Sequence, residues 1–419
     1  MELHIFGHGA LSPDQRQSPD LEQPSSEALS STTCILRAKA IKILWLSWCD
    51  AVIAYQSSTN SDPDTDRWTI IYHGTSLTPT QAIDLTTLET INTAINTANR
   101  TIDFFGSTMH DGIRGYIILQ HQETRNEVTL FATDLEIEAG IPEVQTYPMK
   151  GDVTTTAIRV QSSGHVLIST QSTNMNETKI LRLGDISDLR AHLSSPSFST
   201  ASVQVLSTLT PSGWCTNATS STAIDPKGRI HTATHDMRYP KCLGRSHEGS
   251  LKFEPTPYLS ETRVKKIASG GYMTAAISED GELFLWGQAC PGTEEELDVL
   301  SGLTGLNGED KEVKLTAVFV DEDQDDFVKL MTVRIDGRDA VVANVAVGHG
   351  YVLVAAEVQE EGGEIERRVF GAGDNSKGQL GTGSGKSFLE KFEEVKWLRD
   401  KKVVQMAAAG WTTGAIIEE

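Results

Sequence analysis

Cysteine is scarce in this chain. Five occur in 419 residues (Cys34, Cys49, Cys215, Cys242, Cys290), an odd number, widely spaced, with no C-x-x-C pair. The opening MELHIFGHGA lacks the charged and apolar regions of a secretory leader, so a reducing cytoplasmic or nuclear compartment is expected. The N-x-[ST] triplets at Asn99, Asn176 and Asn217 then carry no glycosylation meaning. Long apolar runs are missing as well. The stretch at 41–46 is far too short to span a bilayer, and a soluble chain without membrane association is expected. Basic charge is in deficit: 36 Lys+Arg against 57 Asp+Glu leave −21. Lys265-Lys266, Arg367-Arg368 and Lys401-Lys402 are isolated pairs, so no basic footprint for a phosphate backbone forms and nucleic acid is not an expected partner.

Glycine, in contrast, is abundant, and one stretch imitates a nucleotide loop. VFGAGDNSKGQLGTGSGKSF, from Val369, ends in Gly385-Lys386-Ser387. A phosphate loop of the form G-x-x-x-x-G-K-[ST] needs its first glycine at 380, which is Leu380. The dinucleotide form needs a third glycine at 376, which is Ser376. The following FLEKFEEVKW has some helical character, yet no βαβ pattern surrounds it. Phosphate binding is not expected.

The glycines are better explained by a repeat. KKIASGGYMTAAISEDGELFLWGQ (265–288) aligns with VVQMAAAGWTTGAIIEE (403–419), Gly271-Tyr272 falling on Gly410-Trp411. VANVAVGHGYVLVAAEV supplies Gly348-His349, LWLSWCDAVIAYQ Ser47-Trp48, and LTPSGWCTNATSSTAI Gly213-Trp214. Weaker copies begin at Phe104 and Met149. Each copy reads as a strand of small and apolar residues, a glycine, a second strand, a polar turn, and a third strand ending in aromatic-glycine. The turns Asp280-Gly281, Lys227-Gly228 and Ser163-Gly164 carry hairpin chemistry between the second and third strands. Phe284-Leu285-Trp286-Gly287, Val369-Phe370-Gly371 and Ile71-Tyr72-His73-Gly74 are the third-strand endings.

Seven such copies predict an all-β fold, a seven-bladed β-propeller. MELHIFGHG reads as a third strand lacking its own first two, and AAAGWTTGAIIEE as two strands lacking a third. Their pairing would close the ring and remove free edges. The whole of 1–419 is therefore expected to be one domain, monomeric, with a flexible loop at 11–33 and an acidic insertion at 291–326.

FGAGDNSKGQLGTG followed by VVQMAAAGWTTGAI resembles the repeat of the regulator of chromosome condensation family, strongly over 265–419 and by pattern alone through 40–250. That resemblance implies a seven-bladed propeller. Short single-propeller members of the alpha-tubulin-suppressor type are similar; they imply a small zinc protein as partner, in tRNA wobble-uridine modification and diphthamide synthesis. The chromatin-bound member implies guanine-nucleotide exchange on a Ran-type small GTPase. The family histidine of G-x-x-H is missing from the clearer copies, with Met273, Gly350, Thr412, Cys49 and Cys215 at or beside that place.

Catalytic constellations are lacking. No Ser/His/Asp or Cys/His trio stands out, His231 and His235 are wrongly spaced for one metal on a strand, and DEDQDD lacks the glycine and spaced acid of a calcium loop. No enzyme, cofactor or metal is expected. The candidate partner-binding residues are those after the first glycine or its serine substitute: Trp48, Trp214, Tyr272, His349 and Trp411. Equivalent positions on superposed blades would place them at one level, as surface anchors for another protein or as wedges packed between blades. The expected function is a non-catalytic scaffold, with exchange on a small GTPase as the alternative.

Overall fold

The computed structural model describes residues 1–7, 33–57, 68–87, 100–120, 126–149, 153–172, 177–194, 203–301, 317–321, 325–359 and 363–418. Residues 11–32 of the expected loop, and 302–316 and 322–324 of the expected acidic insertion, lie outside the described residues. The chain forms two compact units, one of residues 1 and 37–211, the other of residues 2–36 and 212–419. Strands β1 (Glu2–Gly7) and β2 (Thr33–Arg37) open the chain and pair within the second unit.

The first unit holds three antiparallel meanders. β3 (Ala40–Leu46), β4 (Asp50–Gln56) and β5 (Trp68–Gly74) make the first; β6 (Arg100–Ser107), β7 (Gly112–Gln120), β8 (Glu127–Phe131) and β9 (Val144–Pro148) the second. The third is β10 (Val153–Val160), β11 (Val166–Ser172), β12 (Thr178–Leu183) and β13 (Gln204–Ser207). Short helices α1 (Pro79–Thr87), α2 (Asp134–Glu138) and α3 (Ile186–Ser194) serve as connections. Strand alternation explains the layering. On β7, Tyr116 and Ile118 pack with Val52, Ala54 and Ile70, while Ile117 between them points to the other side, against Ile158 and Ile168. A sheet covered on both faces needs apolar residues on both sides of its central strand, as β7 has from Tyr116 to Leu119.

The second unit repeats this arrangement. β14 (Gly213–Thr216), β15 (Ser220–Ile224), β16 (Ile230–Thr234) and β17 (Glu254–Pro255) form one sheet. A nine-stranded sheet follows, built of two meanders. The first is β18 (Val264–Gly270), β19 (Met273–Ser278), β20 (Leu283–Gly287), then β22 (Val328–Ile335) with β21 (Ala317–Asp321) beside it. The second is β23 (Arg338–Val347), β24 (Tyr351–Gln359), β25 (Ile365–Asp374) and β26 (Phe388–Glu394). A tight β22–β23 hairpin at Asp336-Gly337 fuses them, both residues having positive φ. The last sheet runs β2-β1-β28-β27, with β27 (Lys402–Ala409) and β28 (Thr412–Glu418). Here β1 pairs antiparallel with β28 from Glu2↔Ile417 to Gly7↔Thr412, the terminal-strand pairing expected from the sequence. Separate apolar clusters lie between successive meanders: Ile224 with Phe284, Ile277 with Val354, and Leu353 with Ala415 are members of the three.

Several sequence expectations change. Most copies gain a fourth strand beyond the three read from the sequence, and the segment 373–383 leads to β26 of its own sheet. FLEKFEE forms β26 and not a helix, because Leu389 and Phe392 turn inward against the sheet. Ser163-Gly164 joins the first and second strands of its sheet, one strand earlier than expected. The seven copies correspond to six hydrogen-bonded sheets among the described residues, because the β22–β23 hairpin merges two of them.

Candidate functional site

The first hairpin of each sheet carries the candidate residues, but in two different places. Gly271-Tyr272 turns β18 into β19, and Gly410-Trp411 turns β27 into β28. Both glycines lie in the left-handed region (φ 53° and 54°), which a side chain would strain. The β23–β24 tip is shifted by one residue. The Gly348 N–H donates to the Tyr351 carbonyl at 2.9 Å, so His349-Gly350 form the turn. Similarly, Ser47 N–H donates to Asp50 O at 2.8 Å and Trp48-Cys49 form the turn. Trp48 and His349 therefore occupy the first turn position, Tyr272 and Trp411 the second.

First-position amides reach the neighbouring tip: Trp48 N–H donates to Thr108 O (3.1 Å), His349 N–H to Gly410 O (2.8 Å), and Ala218 N–H to Gly271 O (2.7 Å). Ala218 thus stands where the sequence reading placed Trp214. The reason is local. Asn217 Oδ1 accepts from the Thr219 and Ser220 amides at 2.9 and 2.7 Å, setting the turn at Ala218-Thr219. Trp214 lies inside β14, opposite Ala223 and buried, with its ring edge-on to Phe253 at 6.1 Å.

Three of the five candidates come together. Ring centroids are 6.3 Å apart for Tyr272 and His349, and 5.2 Å for His349 and Trp411. A fourth ring, Tyr239, extends the row 5.0 Å beyond Tyr272. Sequence reading missed Tyr239, which follows β16 in a segment outside the repeat. All four side chains are half-buried. Trp48 belongs to the other unit, where its indole N–H donates to His110 O at 2.9 Å.

Carboxylates flank this row. Trp411 Nε1 donates to Asp374 Oδ2 at 3.0 Å. At the other end, Arg238 stacks over Tyr239 at 5.6 Å and forks onto Asp236, Nη2 to Oδ2 at 2.6 Å and Nε to Oδ1 at 2.9 Å. Burial pushes the His349 imidazole down, against the opposing pull of Asp374, which favours the neutral ring. Burial also raises the Tyr272 phenol, with Tyr239, Cys242 and Asp236 adding to it. Cys290 is pushed up to about 11 by burial and then by Asp374, Glu295 and Glu296; Cys242 reaches about 11 mainly by burial. Both thiols stay protonated at neutral pH, a poor state for nucleophiles.

The other sequence features go elsewhere. The Asn375 side chain donates to the carbonyls of Ser384 (3.3 Å) and Lys386 (3.1 Å), so the loop before Ser387 turns carbonyls inward; a phosphate cradle needs amides there. Within the EEELD run, Glu296 Oε1 accepts from the Ala289 and Leu297 amides at 2.8 and 3.0 Å, a structural role. His231 Nε2 faces Asp225 Oδ2 at 3.4 Å, whereas His235 Nε2 contacts Ala218 O at 3.1 Å. Trp214 lines a cavity of about 850 Å³ between β14 and β18, shared with Lys227, Arg229, Arg263 and Lys265.

Within each unit, antiparallel meanders packed on one another through apolar clusters have the architecture of an all-β propeller. The model of the regulator of chromosome condensation (RCC1) repeat matches residues 368–416, the span of β25 to β28. Regulator of chromosome condensation of Xenopus laevis is 35% identical over 111 residues, 23% of this chain and 26% of that protein. The chain therefore aligns with about a quarter of the length of this curated relative. Prp20p of Saccharomyces cerevisiae, studied for its binding to Gsp1p and histones, superposes with TM-score 0.58 at 10% identity, over 100% of this chain and 91% of its own. Human WBSCR16 superposes with TM-score 0.54 at 12% identity, over 100% of both chains. Residues 368–416 thus match an RCC1 repeat, and over its whole length the chain is similar in fold to these propellers.

Proposed function

We propose that this chain is a non-catalytic interaction module that docks another protein on the Tyr239–Tyr272–His349–Trp411 row. The observation carrying the reading is the row itself: four half-buried rings in unbroken contact with Asp236 and Asp374 at its ends. Tyr and Trp supply large contact area at low entropic cost, and interface energy concentrates on them. Neutral ring faces with carboxylates beside them suit a basic segment of a partner, because guanidinium groups stack on aromatic rings. Arg238 on Tyr239 and Asp236 is an intramolecular instance of that chemistry. The protonated thiols support a non-catalytic role. In this reading the sheets are seven blades of one propeller, the nine-stranded sheet counting as two, closed by β1 on β28.

The test is affinity capture from native cytoplasmic and nuclear extract with wild type, Tyr272→Ala and Trp411→Ala. Capture of one defined partner that drops at least tenfold in both variants, with their melting cooperative, supports the reading. Equal capture by all three chains rejects it.

A narrower form assigns a small zinc protein of tRNA wobble-uridine modification and diphthamide synthesis as the partner, on the resemblance to the alpha-tubulin-suppressor type. Co-elution of the purified pair tests it. A second reading, nucleotide exchange on a Ran-type GTPase, is favoured by the RCC1 repeat match at 368–416 and the likeness in fold to Prp20p. GDP release from such a GTPase accelerated by micromolar protein supports that reading; an unchanged rate removes it.

A further inference from the structure

The terminal sheet contains a cluster that no repeat position predicts. Glu2 and His4 stand two apart on β1, so their side chains leave the same face of the sheet. Cys34 lies on β2, the strand beside β1. A carboxylate oxygen, an imidazole nitrogen and the thiol sulfur converge, every pair within 4.8 Å, and His4 Nε2 is 3.1 Å from Glu2 Oε2. Glu2 and His4 are buried; Cys34 is half-buried. The imidazole is held by the Trp397 ring at 4.9 Å, and its Nδ1 is buried with no hydrogen-bond partner among the described residues.

We propose that Glu2, His4 and Cys34 form a divalent-cation site whose donor set selects zinc. The set mixes nitrogen, sulfur and oxygen, which suits a borderline-soft tetrahedral ion and not calcium or magnesium, which take oxygen. Bonds of about 2.0–2.3 Å in a tetrahedron place ligand atoms roughly 3.3–3.8 Å apart. The present separations, from 3.1 Å to at most 4.8 Å, bracket that range, so side-chain rotation alone brings the three into place. On binding, the Cys34 proton leaves and its weak contact with the Leu36 carbonyl at 3.6 Å is given up. The accessible Cys34 side leaves a fourth position for water or for a donor from outside.

The site has a structural consequence. Strand β1 lies between β28 and β2, so an ion shared by β1 and β2 clasps the first strand of the chain to the sheet. It also ties residue 4 to residue 34 across a long connection. Spacing alone conceals it, because the ligands at 2, 4 and 34 match no zinc motif.

The experiment uses the full chain, expressed in zinc-supplemented medium and purified without chelator. Elemental analysis should give one zinc per chain. Cobalt(II), used as the spectroscopic probe after zinc removal, should show a thiolate-to-metal charge-transfer band with tetrahedral ligand-field bands. Cys34→Ser should abolish the charge-transfer band. His4→Asn and Glu2→Gln should weaken cobalt affinity at least tenfold, while Cys290→Ser leaves the spectrum unchanged. Added zinc should raise the melting temperature of wild type and not of Cys34→Ser. A wild-type chain without stoichiometric metal and without a thiolate–cobalt band overturns the proposal, as does a band that survives Cys34→Ser. Should a variant fail to fold, the wild-type stoichiometry and cobalt spectrum decide alone.

Discussion

The indole N–H of Trp411 donates to the Asp374 carboxylate at 3.0 Å across 37 residues of chain. The bond joins the β27–β28 tip to the end of β25 and sets the Trp411 ring edge-on to His349. Trp411→Phe keeps the ring and deletes the donor. Losing one partly exposed, charge-assisted hydrogen bond should cost about 1–2 kcal/mol in urea unfolding. A loss above about 3 kcal/mol would make Trp411 a packing element and remove it from the docking surface.

Trp214 and Trp48 should part company. Trp214 is 7% exposed and packs on Phe253, so Trp214→Ala opens a cavity and should cost about 3–5 kcal/mol. Trp48 sits at a turn with its indole near the surface, and Trp48→Ala should cost about 1 kcal/mol. Equal costs in chemical denaturation would contradict the placement of Ala218, not Trp214, at the turn.

Acid should weaken the molecule partly through His349. Its folded pKa lies below the ordinary value of about 6.5, so between the two values the unfolded chain binds the extra proton. The neutral ring's contribution is complete above the unfolded pKa and erodes as pH falls below it. His165 and His192 are shifted the same way by burial, and comparison with His349→Gln subtracts them. Unfolding free energies at pH 7.5 and 5.5 should fall more in wild type than in the variant. The opposite sign would show that His349 gains, not loses, by protonation.

Deleting residues 1–7 strips six paired positions from β28 and buried Leu3 and Ile5 from the last sheet. Melting should become broad, and the exposed β28 edge should promote association. An unchanged sharp transition would mean that β1 is dispensable.

Nucleotide should do nothing. The carbonyls of Ser384 and Lys386 point to Asn375, so millimolar GTP or ATP should leave the melting temperature unmoved, and Lys386→Ala should melt as wild type. Protection by nucleotide that Lys386→Ala abolishes would reinstate the phosphate loop.

Much of the fold was legible because its signals are local. Hairpin glycines at 228 and 281 adopt the positive φ that their dipeptides announce. Val369, Phe370 and Gly371 do belong to a third strand, β25, and the terminal strands do pair. Register was not legible. One residue separates Gly348-His349 from Gly271-Tyr272 in turn position, and five separate Gly213-Trp214 from the turn at Ala218-Thr219. Asn217, whose side chain holds that turn, looks in sequence like any polar loop residue.

Composition and repeat by themselves determined that this chain is acidic, all-β and built of stacked meanders. The last two follow from short-range chemistry, since alternation and turn residues act over a few positions. Tertiary structure decided which distant groups meet: Tyr239 beside Tyr272, Asp374 under Trp411, Cys34 beside Glu2 and His4. Those contacts depend on how neighbouring sheets and strands pack. Packing sums over many weak, long-range terms that no single stretch of sequence carries.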